Sequence, residues 1–289
     1  MIILIGGQMV LDHRREGVSR LKTVLFMLGF IILAGTAQAA TVAPHRAIYD
    51  LSLLRASEGS ALQTASGRLA YEIDGSSCDG YTVNFRMATR YRPAEGAPTL
   101  IDTTTTTFES GDATELRHHS KEVVDGSMRE NVRLRMSRAS PSAEGSGELS
   151  SKPEEPFSIP AGAVLPMQHQ FKLIALGEAG GGRDSSVLFD GSDGPTAYRA
   201  ISFVGKLRPA GSIARDASNP AAVPLSGNQA WPMTVSYYPL EGESEIPEYQ
   251  VSFDLYDNGV ATGLVLDYGD FALKGTLTDL TLLEPGTCP

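Results

Sequence analysis

The sequence predicts a mainly β protein built on antiparallel sheet, with one substantial helix. Three observations carry that reading. Apolar and polar residues alternate with period two through most of the chain, turn-forming clusters separate the alternating runs, and one segment switches to helical spacing. Strands with one apolar and one polar face belong to antiparallel sheet with water on one side.

The runs follow in order. "HRAIYDLSL" (45–53) opens the series, and "GRLAYEID" (67–74) places Leu69, Tyr71 and Ile73 on one face. In "YTVNFRMATRY" (81–91) Tyr81, Val83, Phe85, Met87 and Tyr91 share a face, opposite Asn84, Arg86 and Arg90. "LIDTTTTTFES" (100–110) follows, then "NVRLRMSR" (131–138), with Val132, Leu134 and Met136 against Arg133 and Arg135. "TAYRAISFVGKL" (196–207), "WPMTVSYYPL" (231–240), "YQVSFDLYDNG" (249–259) and "GLVLDYGDFALKGTLTDLTLL" (263–283) complete the strands. Turn chemistry in "EIDGSSCDG", "VDGS", "DNG" and "DYGD" divides them. The exception is "IPAGAVLPMQHQFKLIALGEAGGG" (159–182). Pro166 suits a helix N1 position, Phe171, Ile174 and Ala175 fall at helical spacing, and "GEAGGG" stops the run, predicting a helix over 166–178 with Phe171 and Ile174 in its buried stripe. Residues 137–156 and 207–230 read as loops, the second long enough to be mobile or held only by its prolines. The last strand is expected at a sheet edge.

The N-terminus reads as an export signal. Basic "RREGVSRLK" precedes an apolar run from Thr23 to Gly35, and Ala37 and Ala39 give the small-x-small cleavage pattern. The run is short of the roughly 20 residues a bilayer span needs. The expected organisation is a signal peptide over 1–39 and one β-rich periplasmic domain over 40–289, with Met9 as an alternative start and an uncleaved anchor as the rival reading. No later stretch reads as a transmembrane helix.

Of 289 residues 42% are hydrophobic and 20% charged, the proportions of a chain with a real core. The net charge is −10. Residues 1–40 hold four basic and two acidic residues, so the exported part carries 20 basic against 32 acidic residues, or −12. Such a surface disfavours nucleic acid and anionic headgroups as partners. Two cysteines in an exported chain, Cys78 and Cys288, read as one disulfide, with a pair of free thiols as the alternative. The bond would close a loop of roughly 210 residues, for which chain entropy gives about 5 kcal/mol as an upper value.

Motifs for chemistry are weak. There is no G-x-S-x-G elbow. Asp190 and Asp193 in "FDGSDG" lack the length and terminal Glu of a calcium loop and read as a turn. His118 and His119 would point to opposite faces of a strand, so they cannot chelate together and read as a solvated pair, and His169 reads as a satisfied half-buried histidine. No metal or cofactor is expected. Asp254, Asp257, Asp267 and Asp270 could do acid–base work if two of them stood 5–10 Å apart, against a solvated face as the plainer reading. Trp231 with Tyr237, Tyr238, Tyr249 and Tyr268 could form an aromatic platform, against ordinary core packing.

Six blocks, "APHRAIYDLSL" (43–53), "LPMQH" (165–169), "LFDGSDG" (188–194), "WPMTVSYYP" (231–239), "YQVSFDLYDNGV" (249–260) and "LDYGDFALKGTL" (266–277), together resemble the EipB family of periplasmic cell-envelope integrity proteins. They run from the start of the exported chain to its end, and both cysteines fall where that family has its disulfide. The resemblance implies a spiral antiparallel sheet like an opened barrel, with a helix packed in its concave side. It also implies a role in maintaining the envelope, without an established catalytic set. The long basic N-terminus and the 207–230 loop depart from the family and inherit no role.

The expected function is that of a non-enzymatic periplasmic protein supporting envelope integrity, binding a partner protein or an envelope lipid or glycan. Phe171, Trp231 and Tyr268 are the candidate ligand contacts. The alternative is an envelope hydrolase using the C-terminal carboxylates. An outer-membrane barrel fails, because scattered arginines and the terminal "TCP" do not suit a lipid-facing band with aromatic girdles.

Overall fold

The computed structural model describes residues 42–150, 155–240, 244–286 and 288. The predicted signal peptide and the alternative start at Met9 lie outside the described residues.

Fourteen strands form one sheet, each antiparallel to its neighbours. Strands β1 (His45–Ala56), β2 (Leu62–Ser76), β3 (Gly80–Pro93), β4 (Thr99–Glu109), β5 (Glu115–Val124), β6 (Ser127–Arg138), β7 (Gly145–Leu149) and β8 (Glu155–Ile159) run as a meander. Helix α1 (Pro166–Glu178) follows, at the bounds the sequence predicts. A second meander then runs through β9 (Gly182–Leu188), β10 (Tyr198–Val204), β11 (Ala230–Pro239), β12 (Tyr249–Tyr256), β13 (Ala261–Asp267) and β14 (Phe271–Leu282), and β14 pairs with β1. The sheet does not close. Its ends, β8 and β9, do not pair; Val164, between β8 and α1, bridges Leu188 of β9, and Phe157 of β8 packs on Phe189 with ring centroids 5.8 Å apart. This is the opened barrel that the family resemblance implies.

Alternation explains the curl. Ala47, Tyr49 and Leu51 on β1, Leu69, Tyr71 and Ile73 on β2, and Trp231, Met233, Val235 and Tyr237 on β11 all turn inward into one main core. A smaller core under β5–β8 gathers Leu116, Leu134, Met136, Ile159, Leu165 and Phe189. Helix α1 buries Met167, His169, Gln170, Leu173, Ile174 and Gly177. Gly177 is needed there by contact: a Cβ would stand 2.6 Å from the Trp231 ring. Phe171 is not in the buried stripe; it is half-buried at the rim against Tyr81, with ring centroids 5.7 Å apart. Beyond the helix, Gln170 donates to Gly259 O at 3.1 Å, tying α1 to the β12–β13 turn.

Three further expectations are corrected. Strand β14 is interior, flanked by β1 and β13, because the second meander returns to the start of the chain. Residues 137–156 include a strand, β7, hidden by its glycines; Gly147 is small because Phe157 lies over it, 2.3 Å from where a Cβ would be. The 207–230 segment is packed. It carries a short helix, α2 (Ala214–Ala217), and a 3₁₀ turn (Pro220–Leu225), and it buries Ile213, Ala222 and Leu225. Asp216 accepts from Tyr256 Oη at 2.8 Å and Thr262 Oγ1 at 2.6 Å, and Asn219 donates to Leu277 O at 2.9 Å. These polar anchors hold what its prolines alone would not.

Cys78 and Cys288 are bonded, with Cα atoms 5.7 Å apart at a sequence separation of 210. The bond ties the C-terminal tail to the β2–β3 turn. No described helix is long and apolar enough to cross a membrane.

Candidate ligand-binding surfaces

The sequence candidates do not converge. Trp231 is 1% exposed, packed on Gly177. Phe171, half-buried, touches Tyr81 instead. Tyr268 lies at the opposite end of the strands, beside Tyr249, which is six residues along β12 from the Leu255 that pairs with Trp231, or about 20 Å. Tyr268 and Phe271 meet as tilted rings at 5.0 Å, and Phe271 meets Tyr91 edge-on at 5.6 Å. Behind them Leu69, Phe85, Met87, Val251 and Leu266 leave only about 10 Å³, room for no more than one water.

The C-terminal carboxylates fall into two pairs, Asp254 and Asp257 at the end of β12, and Asp267 and the exposed Asp270 in the β13–β14 turn. Asp254 is buried between Arg208, at 2.7 Å, and Arg215. Asp257 accepts from Asn228 at 2.6 Å. Asp267 is held by Arg55 at 2.6 Å and sits opposite Gln250, four residues from Asp254, or about 13 Å along the strand. Among the described residues no group of three His, Cys, Asp or Glu side chains is placed to hold a metal ion. Asp190 forms the expected turn, accepting from Ser192 N at 3.0 Å and Ser192 Oγ at 2.6 Å. The two histidines diverge as their strand requires, but they are not a solvated pair: His119 faces outward to Asn131, whereas His118 is buried on Thr107, each at 2.9 Å, because its face of β5 turns into the smaller core.

Two buried polar clusters were not foreseen. His169 Nε2 lies 3.2 Å from Ser202 Oγ and 3.9 Å from Asp184, whose carboxylate binds Lys172 at 2.5 Å and Ser186 at 2.7 Å. Serine and aspartate approach the same ring nitrogen, so the aspartate does not orient the imidazole from its far side as nucleophile activation requires. Burial pushes the His169 pKa down to about 4, which leaves the ring neutral.

The second cluster starts helix α1. Glu109, at the end of β4, accepts from Met167 N at 2.7 Å and Gln168 N at 3.3 Å, supplying the cap that Leu165 cannot. Arg138, at the end of β6, donates to Ala113 O at 2.9 Å, Ala163 O at 2.5 Å and Gln168 Oε1 at 2.8 Å. Burial pushes the Glu109 carboxyl up to about 7, against the pull of the two backbone N–H groups and Arg138. Its pKa is therefore higher folded than unfolded. The stability linked to its proton is complete below about 4.5 and is lost as pH rises through about 7, on the order of 3 kcal/mol. Glu109→Gln lacks that proton linkage. Denaturant unfolding at pH 5 and pH 8 should find the wild type losing ground to the variant as pH rises. A constant difference would mean that Glu109 stays ionised across this range.

On the outer face of β5–β8 a trough of about 820 Å³ is lined by Glu115, Arg117, Arg135, Ser146, Glu148 and Ser158, among others.

Comparison with known proteins places this architecture. The EipB-like family model matches residues 36–284. The chain belongs to the EipB-like family. Within it, the chain is similar to the cell envelope integrity protein EipB of Brucella abortus (strain 2308), 36% identical over 274 residues, covering 91% of this chain and 92% of that one. It also resembles the crystal structure of a beta-barrel-like protein of a domain of unknown function from Brucella abortus. The TM-score is 0.78 at 34% identity, covering 85% of this chain and 100% of the other. An EipB-like chain thus has the spiral sheet, with α1 packed into the main core.

Proposed function

We propose that this EipB-like protein supports cell-envelope integrity from the periplasm without catalysis, by holding a partner protein or an envelope ligand. The observation that carries the reading is the contrast between its interior and its surface. Asp254 and Asp267 are both ion-paired and stand about 13 Å apart along the strand, whereas a trough large enough for a ligand opens to solvent. The name of the 36%-identical Brucella relative supports the envelope role. The basic, apolar and small-x-small order of the N-terminus supports export.

The test is in cells. Deleting the gene should sensitise the bacterium to envelope stress, and Asp267→Asn with Asp270→Asn should restore resistance fully. Failure of that double variant at normal abundance would favour the hydrolase. N-terminal sequencing of periplasmic material should begin at Ala40 or Thr41; recovery only from membranes would contradict the location.

A further inference from the structure

We propose that the trough on β5–β8 binds a neutral or zwitterionic glycan chain. This deepens the reading of an envelope-ligand holder, on which it rests, by naming the site and the ligand class.

The register arranges the lining in two rows that cross the strands. Glu115, Ser137, Ser146 and Ser158 face one another in sequence across β5, β6, β7 and β8. Two residues away, Arg117, Arg135, Glu148 and Pro156 form the parallel row. Four strands span about 14 Å, and the rows stand about 7 Å apart. A peptide added to the β8 edge would run along the strands, at right angles to these rows, and Pro156 withholds an N–H from such pairing. The trough therefore suits a chain that crosses the sheet.

Charge selects the class. Among the described residues Arg117 pairs with Glu115 at 3.1 Å and Arg135 with Glu148 at 2.5 Å, so each guanidinium of the trough has a carboxylate partner, on a protein of net charge −10. A polyanion would meet the carboxylates, and an alkyl chain would strand the polar groups. Sugar hydroxyls and acetamido groups both donate and accept, and the three serines offer the same. The Arg117 and Arg135 side chains remain 68% and 71% exposed, so pairing does not hide them from a ligand. Arg117 is steadied over the Phe108 ring at 5.2 Å.

The probe is tri-N-acetylglucosamine, titrated into the purified mature protein and followed by backbone amide shifts. Shifts should centre on Ser137, Ser146 and Ser158, and Ser146→Trp, which fills the trough from an exposed position, should weaken binding by at least about tenfold. Should Ser146→Trp fail to fold, Glu148→Gln keeps the shape, removes a charged acceptor and should also weaken binding. The inference is overturned by absence of shifts at millimolar sugar, by shifts elsewhere, by tighter binding of a sulfated oligosaccharide, or by unchanged affinity in a folded trough variant. These outcomes judge the trough alone, because survival of the deletion strain judges the envelope role separately.

Discussion

Trp231→Ala should lower the unfolding free energy by about 3–5 kcal/mol, the loss expected for a core aromatic. Its ring is buried, and its Nε1 has no hydrogen-bond partner among the described residues, so packing carries its contribution. The close approach of Gly177 makes a sharper test. In a helix interior Gly→Ala ordinarily gains about 1 kcal/mol. Here a Cβ would meet the Trp231 ring at 2.6 Å, so Gly177→Ala should instead cost about 1–3 kcal/mol. In the Trp231→Ala background the obstacle is gone and the same substitution should become stabilising. Urea unfolding of the four proteins measures the reversal. A Gly177→Ala change that stabilises the wild type would mean that α1 is loosely seated.

Cys288→Ser should lower stability by about 2–5 kcal/mol, the usual cost of removing a native disulfide. The bond spans 210 residues, so its loss frees the unfolded chain more than it disturbs the folded one. Because β14 is interior, no sheet edge is bared. Hydrogen exchange should rise first in residues 283–288 and in the β2–β3 turn, while β14 stays protected by β1 and β13. In cells the variant should be depleted, and stress resistance should fall in proportion. Normal abundance with full loss of resistance would mean that the cysteine acts chemically.

Much of this fold was legible in residue parity. Leu69, Tyr71 and Ile73, or Phe85 and Met87, announce their inward face because apolar side chains alternate with polar ones. The bounds of α1 were equally plain, from Pro166 and the glycines after it. Parity failed where the inward residues are not apolar. In β4 the inward positions are Thr103, Thr105, Thr107 and Glu109, so neither face declares itself and the buried carboxylate stays hidden. Arg138 was readable: it shares the parity of Leu134 and Met136, and an arginine at an inward position calls for partners. Order in 207–230 was not, since Arg208, Arg215 and Asp216 find theirs on β12 and β13 across the fold. The trough escaped for a similar reason. Arg117, Arg135 and Glu148 look like an ordinary solvated face until the register sets them side by side.

The central claim is that the protein acts on the envelope by holding and not by reacting. Its most direct test is to incubate purified protein with isolated peptidoglycan and with outer-membrane extract, and to follow both retention and released fragments over time. Stoichiometric retention with no soluble product is the predicted result. Products accumulating beyond one equivalent per protein would contradict it.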